Sequence, residues 1–171
     1  GCTIPGYLSA FAAFRDEHPD IAVSAREGNS DMLIQSLLAG DIDVALVAHA
    51  GPLPSEFDVY PIVDEPLAVG VQQQDPWVHR RSLPVARLVG QPVLTLPNGT
   101  GVRSALIKTC AAAGVDVVPA VEAHSPEALI ALASHGVGKA VLTASMLAGS
   151  DLAAIRIEGS ARTSLSLASA P

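Results

Sequence analysis

Apolar positions along the chain recur at two spacings, and the change from one to the other marks out the elements. Between 26 and 47 the order is strand end, glycine turn, helix, glycine stop, acidic turn, buried strand. Leu33, Ile34, Leu37 and Leu38 fall on one face at helical spacing. Ser30 is the expected N-cap, because its hydroxyl can accept from first-turn amides that otherwise lack partners, and Asp31 sits at the positive end of the helix dipole. Gly40 follows the last apolar residue, where a left-handed C-cap favours glycine. After the polar turn Asp41-Ile42-Asp43, the run Val44-Ala45-Leu46-Val47 is apolar on both faces, as suits a central parallel strand covered on both sides. The helix start at Gly28-Asn29-Ser30 then points to where a ligand would sit.

The same alternation continues in both directions. Leu8, Phe11, Ala12 and Phe14 predict an amphipathic helix with Pro5 in its first turn, ended by His18-Pro19. Ile21, Val23 and Ala25 alternate as in a half-buried strand. Residues 51–54 (GPLP) read as a loop, and 57–63 as an edge strand broken by Pro61. Strands are expected at 67–71, 93–96, 117–122, 139–142, 153–158 and 163–168. Helices are expected at 84–89, 102–112, 126–134 and 144–147, with Ser125 as cap and Pro126 at the first helical position of the third. Strands alternating with helices argue for an α/β fold with mainly parallel sheets.

Composition narrows the classes. Hydrophobic residues make up 49% of the 171 positions, so the chain can bury a core as one domain or two small lobes. The net charge of -7 lacks the basic footprint that nucleic-acid binding requires. No apolar run reaches membrane-spanning length, and no secretory leader opens the sequence, which gives a cytoplasmic expectation with no membrane partner. Cys2 and Cys110 fit no metal or redox spacing and read as two reduced thiols. The five histidines show no metal-ligand spacing, no Gly-x-Ser-x-Gly elbow is present, and Asn98-Gly99-Thr100-Gly101-Val102-Arg103 lacks the Gly-Lys-Ser/Thr ending of a phosphate loop. The expectation is therefore no enzyme, no cofactor and no metal. Asp64-Glu65 read as a solvated turn before Pro66, since neighbours on an extended segment point apart. Arg103 and the loop Trp77 with His79-Arg80-Arg81 read as solvated.

Five stretches in order carry a resemblance: EGNSDMLIQSLLAGDIDVALV (27–47), FAAFRDEHP (11–19), VDEPLAV (63–69), DPWVHRRSLPVARL (75–88) and GVGKAVL (136–142). Together they resemble the effector-binding domain of LysR-type transcriptional regulators across almost the whole chain. The resemblance implies a type II periplasmic-binding-protein-like α/β fold, with two Rossmann-like lobes joined by two crossover segments. Lobe I would be 1–66 and 144–171, lobe II 67–143, with crossovers near 66–70 and 142–145. The chain would begin at the end of the first strand, without the family's N-terminal winged helix-turn-helix, and stop short of its C-terminal helix.

Ser30, Thr100 and Ser125 each place a small polar residue at a helix start beyond a strand's carboxyl end, where ligands of open α/β sheets bind. Singly each is a cap; together, hydroxyls and first-turn amides make a cradle for an anion. The resemblance makes Asn29, Ser30, Thr100, Gly101 and His124 the effector contacts, with Thr3 at a matching but shortened segment. It implies a small-molecule partner, an anion or carboxylate. It also implies a homodimer or tetramer built from helix 5–18, strand 21–26 and helix 126–134, with DNA bound only through the missing N-terminal domain. Two readings stand beside it: a transporter's solute-binding protein of the same fold, and an enzyme on that fold.

Overall fold

The computed structural model describes residues 7–170. In chain order they form α1 (Tyr7–Glu17), α2 (Ser30–Leu38), β1 (Val44–His49), β2 (Asp58–Val71), β3 (Ser82–Pro84) and a 3-10 turn (Val85–Leu88). Then come β4 (Val93–Thr95), α3 (Gly101–Ala113), β5 (Pro119–Glu122), α4 (Pro126–Ser134), β6 (Lys139–Thr143), α5 (Ala144–Leu147), β7 (Ala153–Glu158) and β8 (Arg162–Ser169).

β2 belongs to two sheets. Its first half pairs with β8, from Asp58↔Ser169 to Pro66↔Arg162, and β8 pairs in turn with β1. Its second half lies between β6 and β7, with Ala68 opposite both Leu142 and Arg156. The sequence splits this segment into two strands, at 57–63 and 67–71. The chain instead runs straight through Pro61, where the register shifts before Val63, and such an irregularity is where a strand tolerates a residue without an amide hydrogen. β4 pairs parallel with β5 and β6, and β3 parallel with β7, while every other pairing is antiparallel. The sheets are thus mixed rather than mainly parallel.

Three strand expectations change for a common reason, that hydropathy cannot name a pairing partner. Among the described residues β1 pairs with β8 alone and is antiparallel, not a central parallel strand, and Val44 is 51% exposed. Residues 21–29 carry the alternating Ile21 and Val23 but join no ladder among the described residues, and both side chains are exposed. β3, three residues long, has no periodic signature and was not expected.

The larger core gathers Leu67, Leu94, Leu106, Leu142, Ile155 and Ile157 around the second sheet, and the smaller packs Leu37 against Ala45, Val47, Phe57 and Ala168. β7 and α5's Leu147 belong to the larger core. Residues 144–158 therefore go with the second sheet, where the sequence puts them in lobe I. The chain returns at 159–161, not at 142–145. There Leu67 donates its amide to Ser160 Oγ at 2.9 Å, and Ala161 donates to Thr109 Oγ1 on α3 at 2.9 Å.

Asp64 and Glu65 are not a solvated turn. On opposite sides of β2, Asp64 accepts from Ser164 Oγ at 2.6 Å and from Arg162, while Glu65 accepts from the Ser145 amide at 3.1 Å and from its hydroxyl. The Ser164 and Arg162 hydrogen bonds hold the Asp64 carboxyl below the usual aspartate range. A depressed folded-state value stabilises the fold above the ordinary aspartate range, and that stabilisation is lost as pH falls through the folded value. Asp64→Asn is accordingly expected to lower the melting temperature slightly near neutrality and to leave it unchanged at the acid end, which flattens the acid limb of a melting-temperature-versus-pH curve; parallel curves for the two proteins would show the contact to be inert.

Candidate functional site

The organising helix α2 is capped one residue earlier than the sequence suggests. Asn29, extended at φ -74 and ψ 165, accepts from the Met32 amide through Oδ1 at 2.9 Å, and Ser30 is the first helical residue. Both are good caps, but Asn29 reaches the right amide from the position just outside the helix. Gly40 does take the left-handed conformation, at φ 72. α3 begins as expected at the end of β4, with Thr100 accepting from the Arg103 amide at 3.3 Å. The Thr100 hydroxyl donates to Pro97 O at 2.8 Å, so its one proton is used within the turn.

These two helix starts meet. The Asp31 amide donates to Gly99 O at 3.3 Å. A Cβ on Gly99 would lie 3.0 Å from Asn29 Nδ2, and at φ 84 the residue is in the left-handed region. One residue further, α3 presses on the first sheet: a Cβ on Gly101 would lie 2.6 Å from Thr163 Oγ1 and 2.7 Å from the Ala48 carbonyl carbon. Lys108, two turns along, donates to Ala50 O. Gly101 is needed for this close approach rather than for a special φ.

The structure therefore brings together Asn29, Ser30, Thr100 and Gly101. His124 is exposed on the neighbouring loop, tied to the site through the Ala123 amide, which donates to Thr95 O at 3.3 Å. Ser125 behind it caps α4 by accepting from the Ala128 amide at 3.1 Å. Thr3 lies outside the described residues. Arg103 is held rather than solvated, its Nε donating to Asn98 Oδ1 at 3.3 Å and its guanidinium 3.7 Å from Glu122.

The sequence reading missed the other wall. Ala48 and Thr163 face Gly101, and His49 closes the end of β1. In the neutral ring, His49 Nδ1 donates to Gly51 O at 2.5 Å, leaving Nε2 to accept from Ser166 at 3.0 Å. None of these stands in a recognisable motif; each is found only once β1 and β8 are paired. Thr95, at the carboxyl end of β4, carries a buried hydroxyl without a hydrogen-bond partner, the one such side-chain atom among the described residues. Such a group is costly to keep.

Among the first-turn amides, those of Ser30, Gly101 and Val102 donate to no group among the described residues, while Met32 and Arg103 are taken by the caps and Asp31 by Gly99. Three free amides at two adjoining helix starts can hold an anion. Among the described residues no helix is long and apolar enough to cross a membrane.

The sequence model of the LysR substrate binding domain family matches residues 6–170. The DNA-binding transcriptional dual regulator OxyR of Escherichia coli K12 is 28% identical over 126 residues, covering 74% of this chain and 41% of that one. The regulatory domain of CcmR from Synechocystis PCC6803, solved in complex with 2-PG, superposes with a TM-score of 0.79 at 21% identity, over 95% of this chain and 80% of that one. The effector binding domain of QuiR in complex with shikimate gives 0.79 at 19% identity, over 98% and 80%. The fold is thus the type II periplasmic-binding-protein-like one. The chain spans less than half the length of OxyR.

Gly101→Ala is expected to force α3 away from Ala48 and Thr163, because backbone atoms at 2.7–2.8 Å cannot move aside as a side-chain tip would. A cost of about 1–3 kcal/mol, typical of overpacking, follows, and urea unfolding measures it. An unchanged midpoint would mean that α3 does not bear on the first sheet as described.

Proposed function

Because this chain belongs to the LysR substrate-binding-domain family, we propose that residues 6–170 form the effector-sensing part of a LysR-type regulator and hold a small anion, a carboxylate for preference, between the starts of α2 and α3. The observation that carries this reading is the meeting of two helix starts with free amides on Ser30, Gly101 and Val102. Each helix start presents about half a positive charge. An anion there competes with Gly99 O for the Asp31 amide, so binding exchanges one acceptor for another and separates two arrangements of the loop 97–100. The shikimate bound by QuiR is a carboxylate, which supports the ligand class. The family resemblance extends the contact set to His124 and Thr3.

Lobe I in this reading comprises α1, α2 and the sheet of β1, β8 and the first half of β2, and lobe II the second half of β2 with β3 to β7 and α3 to α5. Dimerisation is part of the proposal, supported by the exposed Phe11, Phe14, Ile21 and Val23 on the segments named for it. DNA contact would belong to a part of the regulator beyond residues 6–170, as the net charge of -7 also suggests.

Calorimetry with a panel of small carboxylates, shikimate among them, tests the site. Thr100→Val keeps the volume and removes the hydroxyl that orders the turn; a cap of this kind contributes about 1 kcal/mol to stability. The expected result is a lower melting temperature together with affinity weakened by about tenfold, since the amides lose their fixed direction. Lower stability with intact affinity would make Thr100 a cap only, and a co-crystal with the carboxylate away from Ser30 and Thr100 would end the assignment.

Several relatives, including that of Haemophilus influenzae, are named hydrogen peroxide-inducible genes activators. Cys110 offers little for peroxide chemistry, which needs a thiolate. It is buried on α3, and burial, with Asp116 nearby, pushes its thiol upward. Peroxide treatment of a Cys2→Ser variant is expected to leave the Cys110 thiol unmodified under native conditions, read by the mass of the peptide that carries it because exposed Met32 also takes up oxygen; rapid addition of oxygen at Cys110 would instead favour thiol sensing.

A further inference from the structure

At the other end of the second sheet lies a concavity of about 520 Å³ that the cleft reading does not use. It is walled by Asp75 and Trp77 from the turn after β2, Arg87 from the 3-10 turn, Val89 and Gln91 from the approach to β4, and Lys139 at the first position of β6. β4 and β6 are parallel, so Gln91 and Lys139 mark their amino ends, whereas Thr100 and Gly101 follow the carboxyl end of β4. The two places are therefore at opposite ends of the strands.

The sequence reads Trp77 as part of a solvated loop, but it is 6% exposed, while Pro76, His79, Arg80 and Arg81 beside it are open to water. Asp75 organises the turn: its Oδ1 accepts from the Trp77 amide at 2.8 Å and its Oδ2 from Lys139 Nζ at 2.6 Å. Lys139 Nζ stands 4.7 Å from the centroid of the indole ring and Arg87 Cζ 5.8 Å from it. Asp75 neutralises Lys139, and Arg87 has no carboxylate partner among the described residues. The wall thus carries two cations and one acid, a local excess of one positive charge in a protein of net charge -7. Val89, 49% exposed, adds apolar surface at the rim. An apolar rim and an unpaired guanidinium fork beside a mostly buried indole, in a volume typical of small-molecule pockets, select for a small apolar body ending in a carboxylate.

We propose that this concavity is a second ligand site, distinct from the cleft, for a small aromatic carboxylate held by Arg87 against Trp77. Its carboxylate pairs with the guanidinium through two parallel hydrogen bonds, the strong form of this contact. The site does not depend on the cleft proposal, since no residue is shared. Trp77 is the one tryptophan of the sequence, so its emission reports the site directly.

The probe is benzoate, with neutral benzamide as its uncharged counterpart. Titration of the 171-residue chain with benzoate is expected to give a saturable change in Trp77 emission, with half-saturation at least about tenfold lower than for benzamide. Arg87→Gln and, separately, Val89→Asp, both at exposed positions, are expected to weaken benzoate by a similar factor at unchanged melting temperature. Calorimetry on the same variants checks that the loss is one of binding and not of signal. The proposal is overturned by any of three results: no saturable change, equal response to benzamide, or undiminished benzoate binding in both variants.

Discussion

β2 is hydrogen-bonded into both sheets, first to β8 and then to β6 and β7. Two lobes that share a continuous strand cannot separate freely; they can only twist or bend about it. The second connection is bonded to the first, Ser160 Oγ accepting from the Leu67 amide, and to α3 through Thr109, whose hydroxyl donates to Ala105 O at 2.6 Å while accepting from Ala161. α3 in turn presses its amino end on Ala48 and Thr163 of the first sheet. The helix start where an anion is proposed to bind and the return connection are thus the two ends of one rigid helix. A displacement of Gly101 would reach Ala161 through this one helix and the Thr109 hydroxyl.

Much of this was legible in the sequence because local rules decide it. α2, α3 and α4 have periodic apolar faces, small polar caps and glycine stops, and each lies within a residue or two of its expected place. The family resemblance then supplied the fold class, and the meeting of Asn29 and Ser30 with Thr100 and Gly101 follows from it. The rest depended on tertiary choices. Nothing in Val44-Ala45-Leu46-Val47 says that β1 pairs antiparallel with β8. Nothing in Ala144–Leu147 or Ala153–Glu158 says to which sheet they return; α5 and β7 go to the second because Leu147, Ile155 and Ile157 fill its core. Asp64, Glu65 and Trp77 differ from expectation for the opposite reason: their chemistry suggests a solvated turn or loop, whereas Asp64, still exposed, and Glu65 lie on β2 with partners Arg162, Ser164 and Ser145, and Trp77 is buried beside Arg87 and Lys139, all distant in sequence.

In the proposed reading, an acidic protein would take an anion without a dedicated cation. The nearest candidate, Arg103, is 14% exposed at its side chain and is directed to Asn98 and Glu122. A free guanidinium in that position would hold a carboxylate through paired charge-assisted bonds and release it slowly. Backbone amides at helix starts provide partial charges fixed by the fold, and they need no side-chain ordering on binding. The hydroxyl of Thr100 adds direction rather than charge, since its proton is already given to Pro97 O. What would remain for the proposed anion is a set of amides, one of them bonded to Gly99 O. Affinity would then be limited by the exchange of that carbonyl for the anion, which favours easy release.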